Sequence, residues 1–166
     1  MAQALFLTRE DITKFTALNG NVDPDKFIPF VKVAQDIHIQ NYLGTDLFNK
    51  INNDIVAGTI ANPYLSLLTT YIKPMVIHWA MVEYLPWASY SIANKGLYKH
   101  GSENAENVSK EEVDFLIEKE RDIAQHYTDR FVKYMCNNSS TYPEYNSNSN
   151  GDMSPDQNSF HTGWYL

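Results

Sequence analysis

SKEEVDFLIEKERDIAQHYTDRFVKYMC, residues 109–136, decides the fold class. It opens with Ser109 and Glu112 at capping-box spacing, where each side chain satisfies a backbone N–H that the first helical turn leaves free. Val113, Leu116, Ile117, Ile123, Ala124, Tyr127, Phe131, Tyr134 and Met135 then recur along one helical face. Between them run Glu118, Lys119, Arg121, Asp122, Asp129, Arg130 and Lys133, a solvated face. The spacing predicts a helix of about 25 residues, close to 40 Å long at 1.5 Å per residue. A rod of that kind buries its stripe against other helices, so the chain reads as an all-α bundle with a long carboxyl-terminal helix.

Upstream, helix signals follow one another closely. Thr8 and Asp11 predict a capped short helix to about Phe15, and Asn19-Gly20-Asn21 a turn. Asp23-Pro24 is a cap followed by a first-turn proline, and the apolar residues from Phe27 to Tyr42 keep helical spacing up to Leu43. Gly44 supplies a left-handed stop, Thr45 is expected to cap the next helix, and Gly58 to end it. Asn62-Pro63 repeats the cap-plus-proline pattern, and Pro74 predicts a kink or break. Met75 to Leu85 is apolar almost all round, as a central buried helix would be. From Trp87 to His100 the pattern changes: Ser89 to Ile92 alternates before Asn94-Lys95-Gly96, which predicts a small hairpin or a protruding loop.

Past Cys136 the composition shifts to Asn and Ser. The sequence therefore divides into a helical domain over 1–136 and a flexible arm over 137–166. The arm nevertheless carries Tyr142-Pro143-Glu144-Tyr145 and ends Phe160-His161-Thr162-Gly163-Trp164-Tyr165-Leu166. Large aromatics on a polar tether are typical interface anchors, so docking on a partner is expected, with folding back on the chain's own domain as the alternative.

Charge narrows the partners. The net charge of −7 arises wholly beyond residue 100, where twelve acids face five bases; before it, eight of each cancel. An acidic third and the lack of any basic cluster argue against nucleic-acid binding. A single cysteine, Cys136, excludes a disulfide-stapled domain and suits a reducing compartment. The start lacks the basic and apolar regions of a signal peptide, and no stretch reaches the roughly 20 apolar residues of a membrane helix.

Catalytic patterns are not found. The sequence has no phosphate loop, dinucleotide glycine pattern or nucleophile elbow, and its five histidines make no metal-ligand spacing. His38 and His78, on apolar helices, read as hydrogen-bonded core or interface residues, and Glu111-Glu112 as capping acids. No enzyme activity, cofactor or metal is therefore expected. The alternative is a small ligand-binding or enzyme domain with a pocket near His78, Trp79 and Glu83; another is a host regulatory protein-binding adaptor.

The order of signals resembles the head–tail connector proteins (adaptor, head-completion or ring proteins) of tailed bacteriophages, most closely those of crAss-like Bacteroides phages. The resemblance rests on Leu7-Thr8-Arg9-Glu10-Asp11-Ile12, Asn19-Gly20-Asn21-Val22-Asp23, Leu43-Gly44-Thr45-Asp46-Leu47, Asn94-Lys95-Gly96-Leu97 and Tyr142-Pro143-Glu144-Tyr145. It implies a subunit that forms a ring with copies of itself, typically twelve, in the virion neck after assembly in the host cytoplasm. The ring would bind the portal protein on one side and the next tail or ring protein on the other. DNA would cross its channel without being read, and no membrane would be involved. Contacts are implied at Trp87, Tyr90, Lys95, Leu97 and Tyr98 in the loop. In the arm they are implied at Tyr142, Pro143, Tyr145, Phe160, Trp164, Tyr165 and Leu166. The Asn/Ser-rich tract has no counterpart in the family pattern.

Overall fold

The computed structural model describes residues 3–16, 24–88, 90–93, 96–99 and 109–158. Its helices are α1 (Arg9–Phe15), α2 (Pro24–Ala34), α3 (Gln40–Leu43), α4 (Thr45–Ala57), α5 (Tyr64–Leu67), α6 (Lys73–Tyr84) and α7 (Lys110–Asn138), with one hairpin, β1 (Tyr90–Ala93) and β2 (Gly96–Lys99), between α6 and α7. The all-α expectation holds, and the small hairpin falls where the alternation placed it. Its strands pair antiparallel, Ile92 opposite Leu97 and Tyr90 opposite Lys99.

Helix α6 organises the rest. Met75, Val76, Ile77, Trp79, Ala80, Met81, Val82 and Tyr84 are all buried, so nearly every side of it needs a neighbour. α7 and α2 pack along it most extensively. Phe27 and Phe30 of α2 meet the Tyr84 ring edge-on, each at 5.4 Å. From α7, Ala124, Thr128, Phe131, Val132 and Met135 turn inward. Buried Trp79 donates its indole N–H to Thr128 Oγ1 at 3.0 Å, and Thr128 donates in turn to the Ala124 carbonyl. These bonds satisfy polar groups that would otherwise be costly to bury.

Both long helical paths contain a wider turn. Gln35–Ile39 and Leu68–Ile72 are π-helical, the first joining α2 to α3 and the second leading into α6. The break expected at Pro74 is thus a π turn just before it, with the proline in the first turn of α6, where its missing N–H costs little. The first π turn buries Gln35, whose amide accepts from Phe6 N at 2.7 Å and donates to the Ala4 carbonyl, so the amino-terminal segment lies against the bundle. The caps at Thr8 and Ser109 are complete capping boxes. Asn62-Pro63 differs from its expected role: the peptide is cis, and α5 begins one residue later at Tyr64. The predicted turn at 19–21 lies outside the described residues.

The division at residue 136 does not describe the structure. α7 continues to Asn138, and two 3-10 turns, Ser139–Thr141 and Pro143–Asn146, fold the chain back onto the domain. Tyr142 and Tyr145, read from sequence as partner anchors, are 1% and 2% exposed within their own core, while Pro143 stays at the surface. Beyond them, 147–156 runs along α4 as a strap. Thr45, expected as a cap, instead donates its backbone N–H to the Met153 carbonyl and its hydroxyl to Asp152. Gly44 is where the strap comes closest. Its φ of +73° and an approach by Pro155 leave no room for a side chain, since a Cβ would lie 2.7 Å from Pro155 Cδ.

Tyr145 also has a buried hydroxyl without a hydrogen-bond partner among the described residues. Tyr145→Phe is therefore expected to unfold at the same or a higher denaturant concentration, by up to about 1 kcal/mol, because an unsatisfied polar group is removed. Tyr145→Ala should lose about 3–5 kcal/mol by leaving a cavity. Urea titration of both variants distinguishes a core residue from a dispensable anchor: equal losses for Phe and Ala would contradict this account. Gly44→Ala should cost roughly 1–3 kcal/mol from the extended, positive-φ backbone alone, with further loss as the strap is displaced.

Candidate functional site

Two regions have the chemistry of a site: the end of the molecule formed by Trp87, the hairpin and the first half of α7, and a cleft beside His78. At the first, no residue from Lys110 to Ile123 is fully buried, and the first fully buried position is Ala124. Before it Val113, Ile117 and Glu120 are partly buried, Ile117 against the core and Glu120 on His78, and the rest of the stretch faces solvent. Apolar side chains remain on that length: Phe115 is 56% exposed and Leu116 and Ile123 nearly as open, while Trp87 stands 49% exposed at the end of α6. The periodicity places Leu116 and Ile123 in the buried stripe; each lies one position off an inward-facing residue, Ile117 and Ala124, and so falls on the solvent side of it. The acids Glu111, Glu112, Asp114, Glu118, Glu120 and Asp122 lie on the same stretch.

Among the described residues the hairpin forms a two-stranded sheet of its own with both outer edges unpaired, a surface to which another chain can add. Tyr90, Leu97 and Tyr98 fall on these strands. Lys95, Phe160, Trp164, Tyr165 and Leu166 lie outside the described residues.

The cleft beside His78 is of about 470 Å³ and is bordered by α1, α6 and α7 through Phe15, Ile77, His78, Tyr127 and Arg130. Lys73 pairs across it with Asp11 at 2.6 Å. Burial pushes the Asp11 carboxyl up, but hydrogen bonds from Lys73 and Thr8 outweigh this and hold it below its usual range. His78 stacks on Tyr127 at 5.2 Å and its Nδ1 lies 2.8 Å from Glu120. The trio His78, Trp79 and Glu83 does not form a common pocket. Trp79 is inside the core, and Glu83 meets His38, 2.8 Å away on the other side, where the His38 ring stacks on Trp79 at 4.0 Å. Two separate His–Glu pairs result, each joining two helices, which agrees with reading both histidines as hydrogen-bonded packing residues. Among the described residues no group of three or more His, Cys, Asp or Glu is placed to hold a metal ion. Cys136 is exposed at the end of α7.

Residues 39–154 match the sequence profile of a family of unknown function, DUF6712. The chain belongs to this family. No curated protein and no solved structure matches it. The DUF6712 match begins in the first π turn and ends in the strap, so it takes in the hairpin, the first half of α7 and the folded-back tyrosines. No described helix of this family member is long and apolar enough to cross a membrane.

The strap is held to α4 by Asp46, which accepts from Ser147 Oγ at 2.7 Å, Ser149 N at 2.9 Å and Ser149 Oγ at 2.7 Å. The Ser149 backbone bond first, then the two hydroxyls, hold the Asp46 carboxyl below its usual range. A depressed folded value means that the stabilisation is present above the unfolded value, near 3.9, and is lost as pH falls through the folded one. Asp46→Asn should therefore lower the melting temperature at pH 7 and flatten the acid limb of the stability curve below about pH 4. Hydrogen exchange at residues 147–156 should rise in the variant. Unchanged exchange there would show that the carboxylate does not hold the strap.

Proposed function

We propose that the chain is a structural subunit of a phage head–tail connector, joining copies of itself in a ring between the capsid portal and the tail. The surface at the start of α7 supports this best. The first half of α7 leaves Phe115 and Leu116 exposed, Trp87 is half-exposed after α6, and the hairpin that follows has no third strand among the described residues. A folded domain gains nothing from such a surface by itself, since exposed aromatics and unpaired strands favour association. A ring needs two different patches on each subunit. Exposed Ile37, in the first π turn, and Val56 on α4 supply further apolar surface.

In this reading the acids of α7 approach the channel, where like charge keeps passing DNA from adhering. The sequence resemblance to connector proteins points the same way. The buried Tyr142 and Tyr145 leave the hairpin and α7, rather than the start of the arm, as the surface for neighbours.

Mass spectrometry of purified virions tests the assignment. The chain should be present at the copy number of the portal protein, and electron microscopy should show its ring coaxial with the portal. Deleting 90–99 should leave the helical spectrum intact and prevent incorporation. Virions that are complete and infectious without the chain would sink the proposal.

A further inference from the structure

One flank of α7 has a pattern that neither its core contacts nor a ring requires. Leu116, Ile123, Tyr127 and Arg130 follow one another at spacings of seven, four and three, which sets them along one side of the helix. Leu116 and Ile123 are open to solvent, and Tyr127 and Arg130 continue the surface into the edge of the 470 Å³ cleft. Charge changes sign along it. Glu112 stands at the amino-terminal end, one turn before Leu116, and Arg130 at the other. Arg130 is exposed, lies over the Tyr71 ring at 4.9 Å, and has no ion pair among the described residues.

Glu112 and Arg130 are about 27 Å apart at 1.5 Å per residue, well beyond the ~8 Å over which exposed charges act at physiological salt. They cannot neutralise each other within one copy. Lys119 and Glu120 border the middle of this face, but each is paired within its own copy, with Asp122 and His78; a face with Leu116 and Ile123 between oppositely charged ends is complementary to itself after a half-turn. We propose that this flank pairs with the same flank of a second copy, antiparallel, about a two-fold axis at Ile123. Leu116 of each copy then lies opposite Arg130 of the other, and Glu112 comes within a turn of that guanidinium. The parallel alternative would set Glu112 against Glu112 and Arg130 against Arg130, which like-charge repulsion disfavours.

The arrangement is isologous and closed, using one patch twice, whereas a ring uses two different patches. It belongs to the free subunit and does not rest on the connector reading. If both hold, pairing covers the apolar flank until assembly exposes it.

The test uses the full chain. Sedimentation equilibrium should give a dimer for the natural sequence and a monomer, with unchanged helical circular dichroism, for Ile123→Asp, which brings two carboxylates together at the axis. Glu112→Lys and Arg130→Glu should each weaken the dimer several-fold, and their combination in one chain should restore it. Because Glu112→Lys also disturbs the cap, Ile123→Cys in a Cys136→Ser background gives an independent measure: oxidation should link residue 123 to residue 123. A monomer at about 100 μM, for which a micromolar dissociation constant is ample, would overturn the pairing. So would a dimer that Ile123→Asp leaves intact, or a ring without the 123–123 link; the last would leave the connector reading standing. The link forming in a chain absent from virions would remove the connector reading and keep the pairing.

Discussion

The need to cover α6 on all sides governs this structure. A helix with Met75, Val76, Ile77, Trp79, Ala80, Met81, Val82 and Tyr84 all buried has no face to offer water, and each such side chain is worth about 1.5–3 kcal/mol only once it is enclosed. α2 closes one side and the second half of α7 another, and the aromatic pairs at Tyr84 fix the angle at which α2 approaches. The polar groups drawn into this packing, Gln35, Thr128 and the Trp79 indole, are each bonded. The core is finished by Tyr142 and Tyr145, brought back by the turns after α7: Tyr145 meets Phe131 edge-on and Tyr142 lies against Tyr64 and Tyr134. Burial first, then the bond to Glu144, pushes the Tyr64 hydroxyl up to about 12, and burial alone accounts for most of the rise to about 12 at Tyr145.

Elements with a local cause were legible in the sequence. The capping boxes at Thr8 and Ser109, the stop at Gly58, the apolar circumference of α6 and the hairpin around 90–99 each depend on residues a few positions apart. What escaped has its cause far along the chain. Nothing near Tyr142 indicates that Pro63 and Tyr64, some eighty positions earlier, will receive it. Thr45 has the composition of a cap, yet Asp152 and Met153 claim it from more than a hundred positions away. An Asn/Ser tract that cannot form a core can still be held by one carboxylate that accepts three hydrogen bonds, as Asp46 does. Local composition reports the first property and is blind to the second.

The same limit applies to the site. Helical spacing predicted one continuous buried stripe on α7, because periodicity measures the helix and not the bundle that receives it. The stripe is real, but it is narrower than predicted and shallower in its first half: Ile117 packs on the core while only partly buried, and Leu116 and Ile123 beside it are open. No signal inside the 109–136 sequence could give the point where full burial begins, which is fixed by the elements that pack against α7.

That shallow packing is what makes association a physical expectation. A helix of 29 residues extends about 44 Å, and its fully buried positions all lie from Ala124 onward. The first half of α7 is held as a helix by its capping box, by Lys119 with Asp122, and by the Lys119 ammonium over Phe115, all of them weak surface interactions. Isolated helical segments of this length are marginal in water. Burial of Phe115, Leu116 and Ile123 against another chain would supply what local interactions lack. The fully buried positions of α7 begin only at Ala124, so the first half of the helix has the less to lose from such a rearrangement.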